Sequence, residues 1–600
     1  MSGRTVVAGT TCLLVGDDAD LTGFFVDDCR HLSRLELRVP GPALRVLRSD
    51  PESTVYVPDS GRHADPPWAM VRRREVRPGR LVESLELTSF VAGPQTVEVG
   101  YAVAADFADQ FELRSAGSFD KSDAVRGAEV NAGRVLYSYT RRGFSRANTL
   151  EAAPAAELSP DGVRWSVILP PQQSVTLQVT VSVSPAAAEA AVGGSMPTVA
   201  RDDLARCVRQ GLADLDALCM PAPGVPGAIV PAAGAPWFLT VFGRDSLLTS
   251  LFALQHRPEL AAGTLQVLAA TQGRVTDESR VEEPGKIIHE TRRGELAISG
   301  EVPYARYYGS VDATPLFLML LDVYHQVTGD DRLARQLEPA ARAAAGWMLG
   351  PGGLTGGYLR YRTDLPGLVH HCWKDSADSM VFRDGTPAAG PIAVAEAQGY
   401  AYRALVGTAR LATAVWSDPA WSARLTATAA ELRDRFAADF RLPDGFVALA
   451  LDANGSALDA PASNAGHVLW CGLLDGDWAD TVASRLAGDE FFSGWGVRTL
   501  AAGQVPYHPL SYHRGGVWPH DTAITVAGLA AAGHSDEAAR IADGLIAAAS
   551  YTGGRLPELM TGLAREPGHG PVPYPHSCSP QAWAAAAPLL LLQARIGGWA

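Results

Sequence analysis

Two carboxylates set among aromatic and apolar neighbours offer the clearest chemistry in this chain. Asp375 stands in His370-His371-Cys372-Trp373-Lys374-Asp375-Ser376-Ala377-Asp378-Ser379, and Glu558 in Arg555-Leu556-Pro557-Glu558-Leu559. Brought into one cleft, such a pair can divide acid/base work, one carboxyl kept protonated by desolvation and the other ionised. Taken singly, an Asp behind a Trp-Lys dipeptide is more often a helix cap or half of a surface ion pair, so the reading concerns the pair. Asp378 is a second candidate for the acid, with Asp375 preferred. An inward-pointing Lys374 ammonium would depress the pKa of its neighbour, so Lys374 is expected to meet a substrate hydroxyl or to face away.

These residues need elements to position them, and hydrophobic periodicity supplies the outline. Up to about residue 190 the apolar period is two, as in Leu44-Arg45-Val46-Leu47-Arg48, Leu81-Val82-Glu83-Ser84-Leu85-Glu86-Leu87 and Ser174-Val175-Thr176-Leu177-Gln178-Val179-Thr180-Val181-Ser182-Val183. Gly, Pro and Asp interrupt the runs at the spacing of an antiparallel β-sandwich. An Ala-, Gly- and Pro-bearing stretch follows, and the period then becomes 3.6 and stays so to the C-terminus. The expected organisation is two domains: a β-sandwich over 1–190 and an all-α domain over 191–600, with 191–199 as linker. Helices are expected at about 200–219, 244–256, 258–272, 312–328, 331–349, 394–416, 418–440, 464–474, 476–487, 518–533, 535–551 and 579–596.

The connections alternate. Short polar turns such as Thr328-Gly329-Asp330-Asp331 join the helices of a pair, whereas long loops between pairs carry most of the aromatic, His and Gly-rich stretches. Ahead of alternate helices stand Trp237 to Asp245, Tyr307 to Asp312, the Trp373 stretch, Ser463 to His467, Tyr512 to Asp521 and Tyr574 to Trp583. Six pairs closing into a ring, an (α/α)6 barrel, would open all six loops on one end and gather their polar groups in one funnel. A straight solenoid of hairpins is the other reading, and would leave them strung along a groove.

Trp and Tyr interleaved with Asp, Glu, Arg and His suit a sugar, since ring faces stack on C–H surfaces while fixed polar groups take the hydroxyls. No Gly-rich phosphate loop follows a strand, His370, His371, His508 and His513 lack the i, i+4 spacing of helical metal ligands, and Ser246 lacks a nucleophile-elbow setting. No cofactor and no metal are therefore expected, and two carboxylates acting on a glycosidic bond fit these residue types best. A net charge of −14 disfavours nucleic acid. With 47% hydrophobic residues but no membrane-length apolar run, no membrane partner is expected, and the opening residues lack a leader pattern, so the protein is expected to be cytoplasmic. Seven widely spaced cysteines point to small buried hydrophobes rather than a disulfide framework. The sequence does not give an oligomeric state.

The motifs also carry a resemblance. PWFLTVFGRDSLLTSL, EEPGKIIHE, YYGSVDATPLF, WKDSADS, SNAGHVLWCG, FSGWGVRTL, SYHRGGVWPHD, LPEL and CSPQAWAAAAPLLLLQ occur in order over most of 230–600. This half is similar to the glucosidase domain of glycogen-debranching enzymes, the amylo-α-1,6-glucosidases, and more distantly to other (α/α)6-barrel α-glycosidases such as glucoamylases. GFFVDDCRHLSRLEL resembles the β-domain ahead of this barrel in bacterial relatives. The resemblance implies an inverting, exo-acting α-glucosidase in which Asp375 protonates the glycosidic oxygen and Glu558 activates water. It further implies that Arg244 and Asp245 hold hydroxyls of the terminal sugar, that Trp373, Trp495 and Trp518 form walls, and that Glu290, Asp312, His467 and His520 are hydroxyl partners or support them. Trp237, Lys374 and Asp378 complete the substrate-binding candidates, while Asp312 is equally readable as an N-cap.

Two departures matter. No β/α-alternating glucanotransferase segment precedes the barrel, and Ala377 stands where relatives carry Gly. Three functions follow: a debranching-type α-glucosidase, an α-glycosidase for a small glycoside or glycosylglycerate-type solute, and a carbohydrate-binding protein that has lost catalysis.

Overall fold

The computed structural model describes residues 4–596 apart from 18, 42, 62, 63, 115–118 and 191, so the first position of the expected linker lies outside the described residues. The chain forms two compact units. One holds Met1–Ala190 together with Ala235–Leu239 and Arg292–Val302, and the other holds the remainder.

The first unit is a sandwich of two antiparallel sheets. One runs, in spatial order, Arg4–Ala8, Thr11–Val15, Leu21–Val26, Arg34–Arg38, Gln95–Ala104, Gly162–Leu169 and Glu157–Ser159. The other runs Val125–Asn131, Arg134–Arg141, Phe144–Ala153, Ser174–Ser184, Arg80–Ser89, Trp68–Arg77, Ser53–Pro58 and Leu44–Ser49. Alternation of buried and exposed positions along Gly162–Leu169 and Arg80–Ser89 sends every second side chain inward. Leu13, Phe24, Tyr101 and Trp165 from one sheet meet Met70, Leu85, Tyr139 and Leu177 from the other in a single core.

The two late segments belong to this unit through buried polar contacts, which a composition-based boundary at 190 does not reveal. Asp28 takes the Arg292 guanidinium at 3.0 Å and the Arg293 amide at 2.9 Å, and Arg292 also donates to the Trp237 carbonyl at 2.8 Å. Glu295 accepts from Tyr139 at 2.9 Å and from Arg141 at 3.1 Å.

The second unit contains twelve principal helices among its described residues: α1 (Asp202–Leu218), α2 (Gly243–Ala253), α3 (Pro258–Ala270), α4 (Ala313–Thr328), α5 (Glu338–Leu349), α6 (Ala395–Ala414), α7 (Pro419–Asp439), α8 (Asn464–Trp470), α9 (Gly476–Leu486), α10 (Pro519–Ala531), α11 (Ser535–Ser550) and α12 (Ala582–Ile596). The helix expected over 331–349 is divided into Asp331–Gln336 and α5, the second starting with Pro339 in its first turn, where a missing N–H costs nothing.

Contacts between helices close a ring: α2 touches α4, α4 touches α6, α6 touches α8, α8 touches α10, α10 touches α12, and α12 returns to α2. The other six pack outside, each against one or two of these. Ring closure decides for the (α/α)6 barrel over the straight solenoid. Every residue of α2 is buried, as is every residue of α10 up to Leu529, because an inner helix has neighbours all round. The outer α9 buries only a stripe, Trp478, Ala479, Val482, Ala483 and Leu486. None of the described helices is long and apolar enough to cross a membrane.

Candidate active site

The N-terminal turns of the inner helices and the loops ahead of them carry the polar groups, and contacts across the ring bring them to one end. Arg244 and Asp245 lie in the first turn of α2, Asp312 precedes α4, Glu396 opens α6, Asn464 and His467 lie on α8, and His520 and Asp521 open α10. Close packing fixes these turns. A Cβ on Gly243 would lie 2.1 Å from the Ile288 carbonyl, and the Gly243 amide donates to the His289 carbonyl at 2.8 Å.

Arg244 is the hub. Its guanidinium, 3% exposed, donates to Asp312 at 3.0 Å and to Asp375 at 3.1 Å. The Asp375 side chain keeps 27% exposure, so it is held from one side and open on another. Burial pushes its pKa up to about 6 against the Arg244 charge, and the charges of Asp312 and Glu290 add to the rise. Asp245 is pushed to about 7, by burial first and, opposed by Arg244, by the charges of Asp375, Glu558 and Asp312. Gln581 approaches Asp245 at 3.5 Å.

Glu558 is 2% exposed. One of its oxygens accepts from the Tyr512 hydroxyl at 2.7 Å and the other from the Cys578 amide at 2.8 Å, acceptor roles that suit an ionised carboxylate. Burial and the Glu558 charge hold the Tyr512 phenol well above its ordinary value, so it remains a donor. The charges of Asp375 and Glu558 both act on Asp245 and on Tyr512.

An aromatic box flanks them. Trp373 stacks on His467 at 5.7 Å and 13° and meets Trp518 and His520 edge-on at 5.7 and 5.1 Å. His520 stacks in turn on Trp583 at 3.8 Å, and His513 stacks on Trp518 at 5.2 Å. His467 is locked between the Tyr400 hydroxyl and Asp521, the latter at 2.8 Å. The indole nitrogen of Trp373 and both ring nitrogens of His520 make no hydrogen bond within the described protein, and buried polar atoms of this kind suit sugar hydroxyls. Burial keeps His520 and His513 neutral, their pKa values well below the ordinary imidazole range.

Other expected residues lie differently. Lys374 turns from its neighbour and donates to the Thr499 carbonyl at 2.6 Å, buried, near the charges of Asp521 and Glu396. Asp378 is 53% exposed and pairs with Arg514 at 2.6 Å. Trp495 packs edge-on to Tyr551 at 5.8 Å beneath the Arg565 guanidinium, away from the Trp373 box. Trp237 belongs to the β unit, edge-on to Phe25 at 6.0 Å. Glu290 is buried beside His289, and its charge reaches Asp375. Asp312 makes no side-chain cap hydrogen bond and instead takes Arg244, which argues against the N-cap reading.

Tyr512, Trp583, Gln581 and Glu396 were not among the candidates. Tyr512 and Trp583 stand in loops whose composition marks them, whereas Glu396, which accepts from Asn464 at 2.7 Å, sits in an Ala-rich helix start that gives no signal. All seven cysteines are buried and none is in a disulfide, and among the described residues no group of three or more His, Cys, Asp or Glu could hold a metal ion.

Comparison with known proteins divides along the same two halves. Residues 6–180 match the model of the N-terminal domain of some glycogen debranching enzymes, and residues 359–559 match the mannosylglycerate hydrolase MGH1-like glycoside hydrolase domain. No curated protein matches the chain. Solved structures that resemble it include the GH63 mannosylglycerate hydrolase of Thermus thermophilus in complex with Tris, at 16% identity and a TM-score of 0.48, over 64% of this chain and 99% of that one. A glycosidase variant in complex with glucose aligns at 18% identity and a TM-score of 0.47, over 67% of this chain and all of that one.

Proposed function

We propose that this chain, whose residues 359–559 match the mannosylglycerate hydrolase MGH1-like glycoside hydrolase domain, is an inverting hydrolase of a small α-linked glycoside of the glycosylglycerate type. Asp375 is the general acid and Glu558 the base that activates water. The observation that carries this is the contrast between the two carboxyls: one raised by burial toward the protonated form, the other accepting two hydrogen bonds. Inversion needs room for a water, roughly 6.5–9.5 Å between the carboxyl groups. In this reading Arg244 and Asp245 hold hydroxyls of the sugar, and Tyr512 orients Glu558.

A debranching-type α-glucosidase is the second substrate reading, favoured by the match of residues 6–180 to a debranching-enzyme domain. A second assignment of the acid also has an observation behind it: the Tyr574 phenol feels the charges of both Glu558 and Asp378, so these two carboxyls also flank one group. Asp375, whose pKa burial raises, is the better acid, whereas the Asp378 side chain is 53% exposed and taken by Arg514 at 2.6 Å.

The test is a panel of α-glucosides, α-mannosides, their glycerate conjugates and branched glucans, with the product anomer followed by NMR. Asp375→Asn and Glu558→Gln are expected to lower kcat by about 10²–10⁴-fold, and Asp378→Asn by less than about tenfold. The acid variant is expected to recover on substrates whose leaving group needs no proton. Retention of the α-configuration in the first product, or loss in Asp378→Asn with activity kept in Asp375→Asn, would overturn the mechanism or the acid respectively.

A further inference from the structure

Lys286 is a buried cation that the reaction above does not use. It lines a cavity of about 150 Å³ in the helical unit, together with Glu278, Glu282, Glu283, Ser310, Trp347 and Arg360, and Arg244, Asp375 and Glu558 are not among its lining residues. The turn before it sets its direction. Gly285 has φ +89°, and a Cβ there would lie 2.2 Å from the Ala343 carbonyl of α5, so this turn admits glycine alone. Gln272 pins the Gly285 carbonyl at 2.8 Å.

The ammonium so placed, 5% exposed, is poorly served. Among the described residues it reaches the Val281 carbonyl at 3.4 Å and a Glu283 oxygen at 3.6 Å, both long for a charged donor. Glu283 is already engaged by the Trp347 indole N–H at 2.8 Å, and that indole ring lies 5.5 Å from the ammonium. Burial draws the Lys286 pKa down to about 8, with the charge and the long hydrogen bond of Glu283 opposing, which agrees with a cation that has lost water and gained only a distant partner. Arg360, on the same cavity, spends its hydrogen bonds on the Pro391 and Asp452 carbonyls at 3.2 and 3.0 Å and, among the described residues, pairs with no carboxylate. Arg362 is different, since Asp364 and Glu278 already neutralise it.

Lys286, whose Glu283 partner stands off at 3.6 Å, and Arg360, which pairs with no carboxylate among the described residues, leave a place for an anion, and Glu283 sets its kind. A dianion would meet that negative charge, whereas a monoanion bearing hydroxyls can donate to it. We infer that this cavity binds a small polyhydroxy carboxylate, a sugar acid, with Lys286 and Arg360 on the carboxylate, Glu283 on a hydroxyl and Trp347 against its C–H face.

D-Gluconate, inorganic phosphate and sorbitol titrated calorimetrically into the full chain test this. Gluconate is expected to bind, with phosphate and sorbitol weaker, and Lys286→Met and Arg360→Gln should each weaken it by about tenfold or more, the loss of one charge-assisted hydrogen bond. A readout on the unaltered protein guards against misfolded variants: gluconate should protect Lys286 from amine acylation, followed by mass spectrometry. Binding should persist unchanged in Asp375→Asn and Glu558→Gln. No gluconate binding, unprotected Lys286, equal binding of sorbitol or phosphate, or displacement by saturating glucose would each overturn the proposal.

Discussion

At Asp375 two forces oppose each other, burial favouring the neutral carboxyl and the Arg244 guanidinium favouring the ionised one, and burial prevails by placing the pKa near 6. A general acid works only while protonated, so kcat/KM is expected to fall as pH rises through about 6 in the free enzyme. A pH–rate profile checks this, and the limb should survive in Asp378→Asn. Stability responds to the same shifts. Asp245 and Asp375 have folded values of about 7 and about 6, above the ordinary 3.8, so their contribution is complete below 3.8 and is lost as pH climbs through 6 and 7. Asp245→Asn, which cannot ionise, is therefore expected to raise Tm over the parent near about pH 8 and to leave it unchanged near about pH 4, while lowering activity. Calorimetric scans at the two pH values decide it.

Among the elements, α2 shows how the barrel aims its groups. Packed between inner and outer helices, α2 is buried on every face, and its charged residues are confined to the end that meets the loops. Arg244 and Asp245 occupy that end because Gly243 lets the turn press against Ile288. Gly243→Ala is expected to force the turn outward, at a cost of about 1–3 kcal/mol in stability and with reduced kcat/KM, since the Arg244 fork would leave Asp312 and Asp375. Chemical denaturation and steady-state kinetics on one preparation read both effects. The loops between pairs do comparable work. Thr499 receives Lys374 at 2.6 Å through its carbonyl, and its hydroxyl accepts the Gly515 amide at 2.9 Å, so one residue ties the Trp373 loop to the Trp518 loop.

For the molecule as a whole, the two units are not two stretches of sequence. Residues 292–302 fold with the β-sandwich through Asp28, Arg141 and Tyr139. Deleting residues 1–190 would leave Arg292 and Glu295 without these partners, and an uncompensated buried charge costs about 3–5 kcal/mol. The shortened chain is expected to be poorly soluble and to unfold at lower temperature than the parent, measured by soluble yield and by thermal unfolding.

The sequence by itself determined the periods, and with them the sandwich and the helices, because a side chain's burial depends on the face it occupies and the face repeats every 2 or 3.6 residues. It also marked the loops by their Trp, Tyr, His and Gly content and Asp375 and Glu558 as carboxylates among apolar or aromatic neighbours, while the roles of Arg244, Trp373 and Trp518 rested on the resemblance. Only the tertiary structure decided which of these meet. Asp375 and Asp378 look alike in the chain, yet one lies under Arg244 and the other faces solvent on Arg514. Trp495 packs edge-on to Tyr551 and Trp237 edge-on to Phe25, and Tyr512 takes Glu558 from a loop that two helices, α10 and α11, separate from it in the chain. Such pairings follow from closure of the ring, a relation among helices hundreds of residues apart that local periodicity does not encode.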